Sequence, residues 1–305
     1  MAGPATQGRG AAAAAAIRYH YDVGNEFYAL WLDRSLTYSC AMPEHPGDTL
    51  EAAQQRKLRY HADAVHAGLP GPGKPDHGVL DIGCGWGSLL EMLSQGGRVR
   101  RATGLTLSTE QAAYVRSRGY PGVEVRTDSW TSYEPGERFD GIVSIGAFEH
   151  FARPDDDAAA RVRVYRDFFD RCRGWLTPGG VLSLQTVAYA NMSRDDASPF
   201  MQREIFPDAD LPTLAEIAAA ADRTFEIQTV RNDRLDYAWT CEQWARRLRA
   251  NREAALRVAG PETVDRYQRY LKMSALGFLM GKICLLRLVL RPYPGGYFGP
   301  RGPAR

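Results

Sequence analysis

Between residue 78 and about residue 187, short apolar runs alternate with segments of helical period. Gly78–Ile82, 99–105, 123–126, Phe139–Ile145 and 181–187 read as strands, the fourth almost continuously apolar. Ser88–Gln95, the stretch from Ser108 through Arg118, and residues 158–176 read as the helices between them. Ser108 is placed to cap its helix, with Glu110 and Gln111 in the first turn. Pro178-Gly179-Gly180 closes the long helix. Strands apolar on both faces and separated by helices predict an α/β fold with a doubly wound parallel sheet.

The flanks break this alternation. Residues 1–16 form an alanine-rich arm, flexible at its start, that offers a surface for a homo-oligomer contact; residues 17–77 read as a helical segment covering the site. The core then occupies 78–305, with a cap insertion at about 189–236 marked by Asn191, Ser193, Asp195-Asp196 and Pro199. Helical patterns resume at 241–257 and 261–290. The apolar stretch 275–290 is interrupted by Lys282 and Arg287, too short and too charged to span a bilayer, and is expected to be a core or interface helix.

Within the alternating region, Val79-Leu80-Asp81-Ile82-Gly83-Cys84-Gly85-Trp86-Gly87 joins a buried strand to a helix through three glycines. Glycine permits positive φ and close backbone approach, so such a turn at a strand's carboxyl end suits a nucleotide-like ligand or an ordinary tight turn. Composition adds little: 44% hydrophobic and 24% charged residues over 305 positions describe a globular protein, and a net charge of +2 gives no field for nucleic acid. Five dispersed cysteines without a C-x-x-C pair fit reduced thiols in a cytoplasmic protein and give no metal signature. The N-terminus lacks the basic and apolar regions of a signal peptide.

Longer motifs carry more information. His20-Tyr21-Asp22-Val23-Gly24-Asn25-Glu26-Phe27-Tyr28 leads to Trp31-Leu32-Asp33 and Thr37-Tyr38-Ser39-Cys40-Ala41; residues 81–87, Gly104-Leu105-Thr106-Leu107-Ser108 with Gln111, and Ser144-Ile145-Gly146-Ala147-Phe148-Glu149-His150-Phe151 follow in order. Ile205-Phe206-Pro207, Leu211-Pro212, and Tyr237 before Trp244 complete the series. Over about residues 19–280 the chain resembles the cyclopropane-fatty-acid and mycolic-acid cyclopropane synthase family. That resemblance implies a Rossmann-like class I methyltransferase sheet that uses S-adenosyl-L-methionine. It implies cofactor contacts from Tyr38, Ser39, Asp81, Gly83, Gly85, Gly87, Thr106, Leu107, Gln111, Ser129, Trp130 and Ile145. No acidic residue follows the second strand; the resemblance gives the ribose contact to Gln111 and sets Trp130 by the adenine.

In this family the methyl acceptor is an alkene carbon, which leaves a carbocation that aromatic faces can stabilise. Tyr21, Phe148, His150 and Trp239 are candidate pocket residues, with Tyr28, Trp31 and Tyr237 as further aromatics. The resemblance assigns proton removal to a bicarbonate held by the region of Cys40, Glu149, a histidine after the fifth strand, and Tyr237. Here Gln185 stands in the histidine's place, and an amide cannot titrate, which speaks against bicarbonate. Leu290 stands near a late cysteine of the lipid-modifying members. With cofactor motifs kept and acceptor machinery altered, the chain is expected to methylate the alkene of a small lipophilic substrate, such as the prenyl or terpenoid side chain of an indole alkaloid, with or without cyclisation. This resembles the family's teleocidin-type natural-product branch. Alternatives are a cyclopropane synthase on unsaturated acyl lipids, a small-molecule N-methyltransferase, and a cofactor-binding subunit without activity. Nucleic acid is not an expected partner, for no basic stripe accompanies the motifs.

Overall fold

The computed structural model describes residues 24–66, 77–96, 99–196, 198, 200–205 and 210–294. Five strands run parallel, as expected: β1 (Gly78–Ile82), β2 (Arg101–Thr106), β3 (Val123–Thr127), β4 (Phe139–Ile145) and β5 (Leu176–Tyr189). Two more strands, β6 (Phe225–Asn232) and β7 (Ile283–Pro292), extend the sheet to the order β3-β2-β1-β4-β5-β7-β6, with β7 antiparallel to both neighbours. The helices are α1 (Asn25–Ala29), α2 (Leu50–His66), α3 (Ser88–Gln95), α4 (Thr109–Arg118), α5 (Ala158–Trp175), α6 (Leu214–Ala221), α7 (Arg234–Ala250) and α8 (Arg252–Leu279).

All five residues of β1 are buried, and the two-residue period of a strand sends them to opposite faces. Leu80 and Ile82 join Phe168 and Phe169 of α5; Val79 joins Leu58 and Val65 of α2 and Leu90 of α3. A third cluster is almost wholly helical and aromatic, with Phe27, Tyr28, Trp31, Trp244 and Tyr267 at its centre. It meets the carboxyl ends of the parallel strands through Trp86 and Val187. The segment before β1 is less regular than expected: α1 and α2 flank an irregular stretch, 30–49.

Two sequence expectations need correction. Residues 283–290 are a central strand rather than the end of a helix, because Gly281 (φ +67) stops α8 in the left-handed conformation that ends many helices. Residues 225–232 are an edge strand rather than part of a loop-like cap; Phe225 and Ile227 alternate with polar residues along it. The alanine-rich arm lies outside the described residues, and among those described no helix is long and apolar enough to cross a membrane.

Strand β7 carries Arg287, which is fully buried and faces Gln185 across the ladder. Its Nε donates to Gln185 Oε1 at 2.8 Å, and Nη2 donates to the carbonyls of Ala41 (3.1 Å) and Cys40 (3.3 Å). Nη1 pairs with Asp233 and lies 3.7 Å from Asp236. Removing one member of a buried charge network leaves the others uncompensated, typically at a cost of about 3–5 kcal/mol. Arg287→Ala is therefore expected to lower unfolding stability by about that amount, read from the shift in the urea midpoint at unchanged slope.

Candidate active site

The turn after β1 is held by backbone N–H groups of Gly83 and Cys84, both donating to the Leu105 carbonyl at 2.9 Å. A Cβ on Gly83 (φ +83) would sit 2.6 Å from Ala147 Cβ, so only glycine lets the turn approach the β4 loop this closely. A Cβ on Gly85 would meet no protein atom within 4 Å; it would project into the cavity that Gly85 lines. Gly87 differs from the expectation. It does not line the cavity but begins α3 at φ +80, where a Cβ would strike Val115.

The cavity holds about 430 Å³ and is walled by Tyr38, Ser39, Asp81, Gly83, Gly85, Thr106, Leu107, Gln111, Ser129, Trp130 and Ile145. Eleven of the twelve residues predicted for the cofactor thus meet in one place. Ser108 caps α4 by accepting from the Gln111 N–H (3.2 Å), which aims the Gln111 side chain back at β2. There Thr106 Oγ1 donates to Gln111 Oε1 at 2.8 Å, so the amide offers a ligand its N–H donors. Trp130 packs against Phe151 and Phe168 at ring distances of 5.0 and 5.5 Å, which fixes its indole at the cavity wall. Burial pushes the Asp81 carboxyl up to about 7, opposed by Lys57.

Behind the cavity sits a second, drier group. Glu149 is buried on a short 3-10 turn after β4; its Oε1 accepts from the Val187 N–H at 2.6 Å, while Oε2 has no hydrogen-bond partner among the described residues. Burial pushes its carboxyl up to about 7, against the pull of the Val187 N–H. Tyr237, stacked on Phe278 at 4.5 Å, lies within electrostatic range of both Glu149 and Cys40, and burial raises its phenol well above the ordinary value. The Cys40 thiol donates to the Ala41 carbonyl and is pushed up to about 12 by burial, so it is no thiolate. Gln185 is buried with its oxygen turned to Arg287.

The predicted pocket residues divide. His150 does line the cavity, and burial lowers its imidazole to about 4, leaving it neutral. Phe148 is not at the cavity: it is fully buried in the core and stacks on Tyr165 at 4.4 Å, because the 3-10 turn points it into the α5 layer. Trp239 is half-buried against the helical aromatic cluster rather than the cavity. Tyr21 lies outside the described residues. Three residues escaped the sequence reading: Lys57, which lines the cavity, His61, whose Nδ1 is 2.8 Å from Ser183 Oγ and Nε2 3.4 Å from Gln185 Oε1, and Arg287. Gln54, Lys57 and His61 recur at helical spacing among the buried Leu50, Leu58 and Val65 of α2. Polar residues on an apolar helical face were the available signal.

The model of the mycolic acid cyclopropane synthetase family matches residues 9–288. Cyclopropane mycolic acid synthase 2 of Mycobacterium bovis is 34% identical over 276 residues, covering 84% of this chain and 87% of that protein. A probable fatty acid methyltransferase of Pseudomonas putida is 33% identical over 300 residues, covering 93% and 71%. Among solved structures, the cyclopropane synthase MmaA2 of Mycobacterium tuberculosis superposes with a TM-score of 0.80 at 30% identity, covering 92% of this chain and 98% of that one. The mycolic acid cyclopropane synthase CmaA1 complexed with SAH and CTAB gives the same score at 29% identity, with the same coverage.

These likenesses and the open cradle at Gly85 agree on S-adenosylmethionine as the cofactor. An acid whose folded value sits near 7 is largely neutral below it and charged above it, so in the unliganded site Asp81 offers a carboxylate with which an ammonium could pair only toward higher pH. Affinity for S-adenosylhomocysteine is expected to fall as pH drops below about 7. Asp81→Asn should bind about 10-fold or more weakly at neutral pH and lose that acid-side fall, as titration calorimetry across pH would read.

Proposed function

The chain belongs to the mycolic acid cyclopropane synthetase family and is an S-adenosylmethionine-dependent methyltransferase, and from that premise we propose that it methylates an alkene carbon of a lipophilic acceptor. The observation that carries this reading is Glu149: a buried carboxyl poised near neutrality, with one oxygen held by the Val187 N–H and the other free to take a proton. An amine or hydroxyl nucleophile needs no cation-stabilising wall, whereas an alkene does. When bound, the cofactor supplies an electrophilic methyl on sulfonium.

The chain's own residues then have three tasks. They align the alkene with that methyl and exclude water, which the buried aromatic surroundings of Tyr237 do by shape and dryness. They stabilise the positive charge left on the second alkene carbon, through the Tyr237 ring face and the Glu149 carboxylate. Finally, Glu149 Oε2 accepts the proton lost either from a chain carbon next to the cation or from the added methyl, and the electron pair of the broken C–H bond forms the new bond to the cationic carbon. Loss from a chain carbon restores an alkene; loss from the added methyl closes a cyclopropane. Bicarbonate is left out of this reading because Gln185, which stands where the resemblance places a histidine, can donate a hydrogen bond but cannot titrate.

For the acceptor we favour a prenyl or terpenoid side chain on a small natural product, with capture of the cation by the substrate's own ring as a variant. Gln185 supports this, since it stands where the resemblance places a titratable imidazole and its oxygen is held by Arg287. The second reading, a cyclopropane synthase on unsaturated acyl lipids, draws on what the relatives' names say of those proteins. Incubation with cofactor carrying a trideuterated methyl separates them. Prenyl C-methylation is expected to keep all three deuteriums in a prenylated aromatic product, read by mass spectrometry and NMR. Ring methylene that has lost one deuterium, found in acyl lipid, would establish the second reading instead. With the productive acceptor, Glu149→Gln should lower kcat by about 100-fold or more while leaving S-adenosylhomocysteine affinity within about 2-fold.

A further inference from the structure

Helix α2 precedes the sheet and contributes one cation to the cavity wall. Lys57 is almost completely buried, and among the described residues its ammonium has one hydrogen bond, a 2.9 Å contact to Ser39 Oγ. Among the described residues it forms no ion pair with a carboxylate oxygen within 4.0 Å. Asp33 is the strongest anion nearby, yet its oxygens accept from the N–H groups of Ser35 and Thr37. Asp81 and Cys40 also face Lys57, Arg287 opposes it, and the buried imidazole of His61 is neutral. A buried ammonium with two unused donors is an incomplete arrangement, because such charges persist in proteins when paired.

The missing partner is an anion, and the space where it would sit is the cofactor's. We propose that Lys57 binds the α-carboxylate of S-adenosylmethionine, so that Lys57 and Asp81, both on the cavity wall, read the methionine end as a zwitterion. This division of labour depends on the cofactor and not on the acceptor. It also accounts for Ser39: the same ammonium that takes the carboxylate draws the 37–42 loop over it. Burial lowers Lys57 to about 7, so its unliganded form loses charge on the alkaline side, opposite to Asp81.

A ligand lacking only the carboxylate isolates the contact. Affinities of S-adenosylhomocysteine and its decarboxylated analogue are measured by calorimetry for the wild type and Lys57→Met. Charge-assisted pairs of this kind are expected to give the wild type an approximately 10- to 100-fold preference for the carboxylate-bearing ligand. In Lys57→Met that preference should collapse to within about 3-fold, while the decarboxylated analogue binds as it does to the wild type. The alkaline-side loss of S-adenosylhomocysteine affinity should vanish with it. Equal weakening of both ligands would show that Lys57 merely supports the Ser39 loop and would overturn the proposal, as would an unchanged preference. Lys57→Gln, which keeps a donor for Ser39, carries the same comparison if the methionine variant does not fold.

Discussion

Residues 37–42 cross the interior without belonging to a helix or a sheet, so their backbone polar groups must find side-chain partners or remain unsatisfied in a dry environment. Gln54 donates to the carbonyls of Thr37 and Ser39, Arg287 to those of Cys40 and Ala41, and Thr240 accepts from the Ala41 N–H. Three elements far apart in sequence (α2, α7 and β7) therefore converge on six residues. The placement of Tyr38 and Ser39 on the cavity wall, and of Cys40 within electrostatic range of Tyr237, follows from that convergence. Arg287 also ties the loop to Gln185 and, through Asp233, to the start of α7.

Burial, more than ion pairing, sets the electrostatics of this region. Asp81 and Glu149 are pushed up and Lys57 pushed down to about the same value because each is removed from water with few charged neighbours. Groups so poised change charge cheaply when a ligand arrives. The imidazoles of His61 and His150 are held neutral by the same cause.

Much of this was legible in the amino-acid sequence where local rules coincide with tertiary ones. The run Val79 to Ile82 followed by alternate glycines states a buried strand and a tight turn, and Ser108 with Gln111 states a capped helix whose first turn faces the ligand. Strand β7 was not legible: its leucines are good helix formers, and its identity comes from burial between β5 and β6. Phe148 and Gly87 sit in motifs yet serve packing, a distinction fixed by side-chain direction rather than by residue type. Lys57 and Arg287 were hidden for the opposite reason. Both are charged residues on otherwise apolar faces, where residue type alone argues against burial, and both are buried by partners 18 or more positions away.

The strand order also bears on how the molecule comes into being. β7 is the last strand in the chain, yet it lies between β5 and β6, so β5 is paired on its β4 side only and β6 has no ladder until residues 283–292 have been made. Arg287 arrives with them. During synthesis the Gly83–Gly85 turn and its parallel strands are available early, while the loop at 37–42 waits for a cation some 250 positions downstream. Until residue 287 has been made, the Cys40 and Ala41 carbonyls lack the donors that hold this loop.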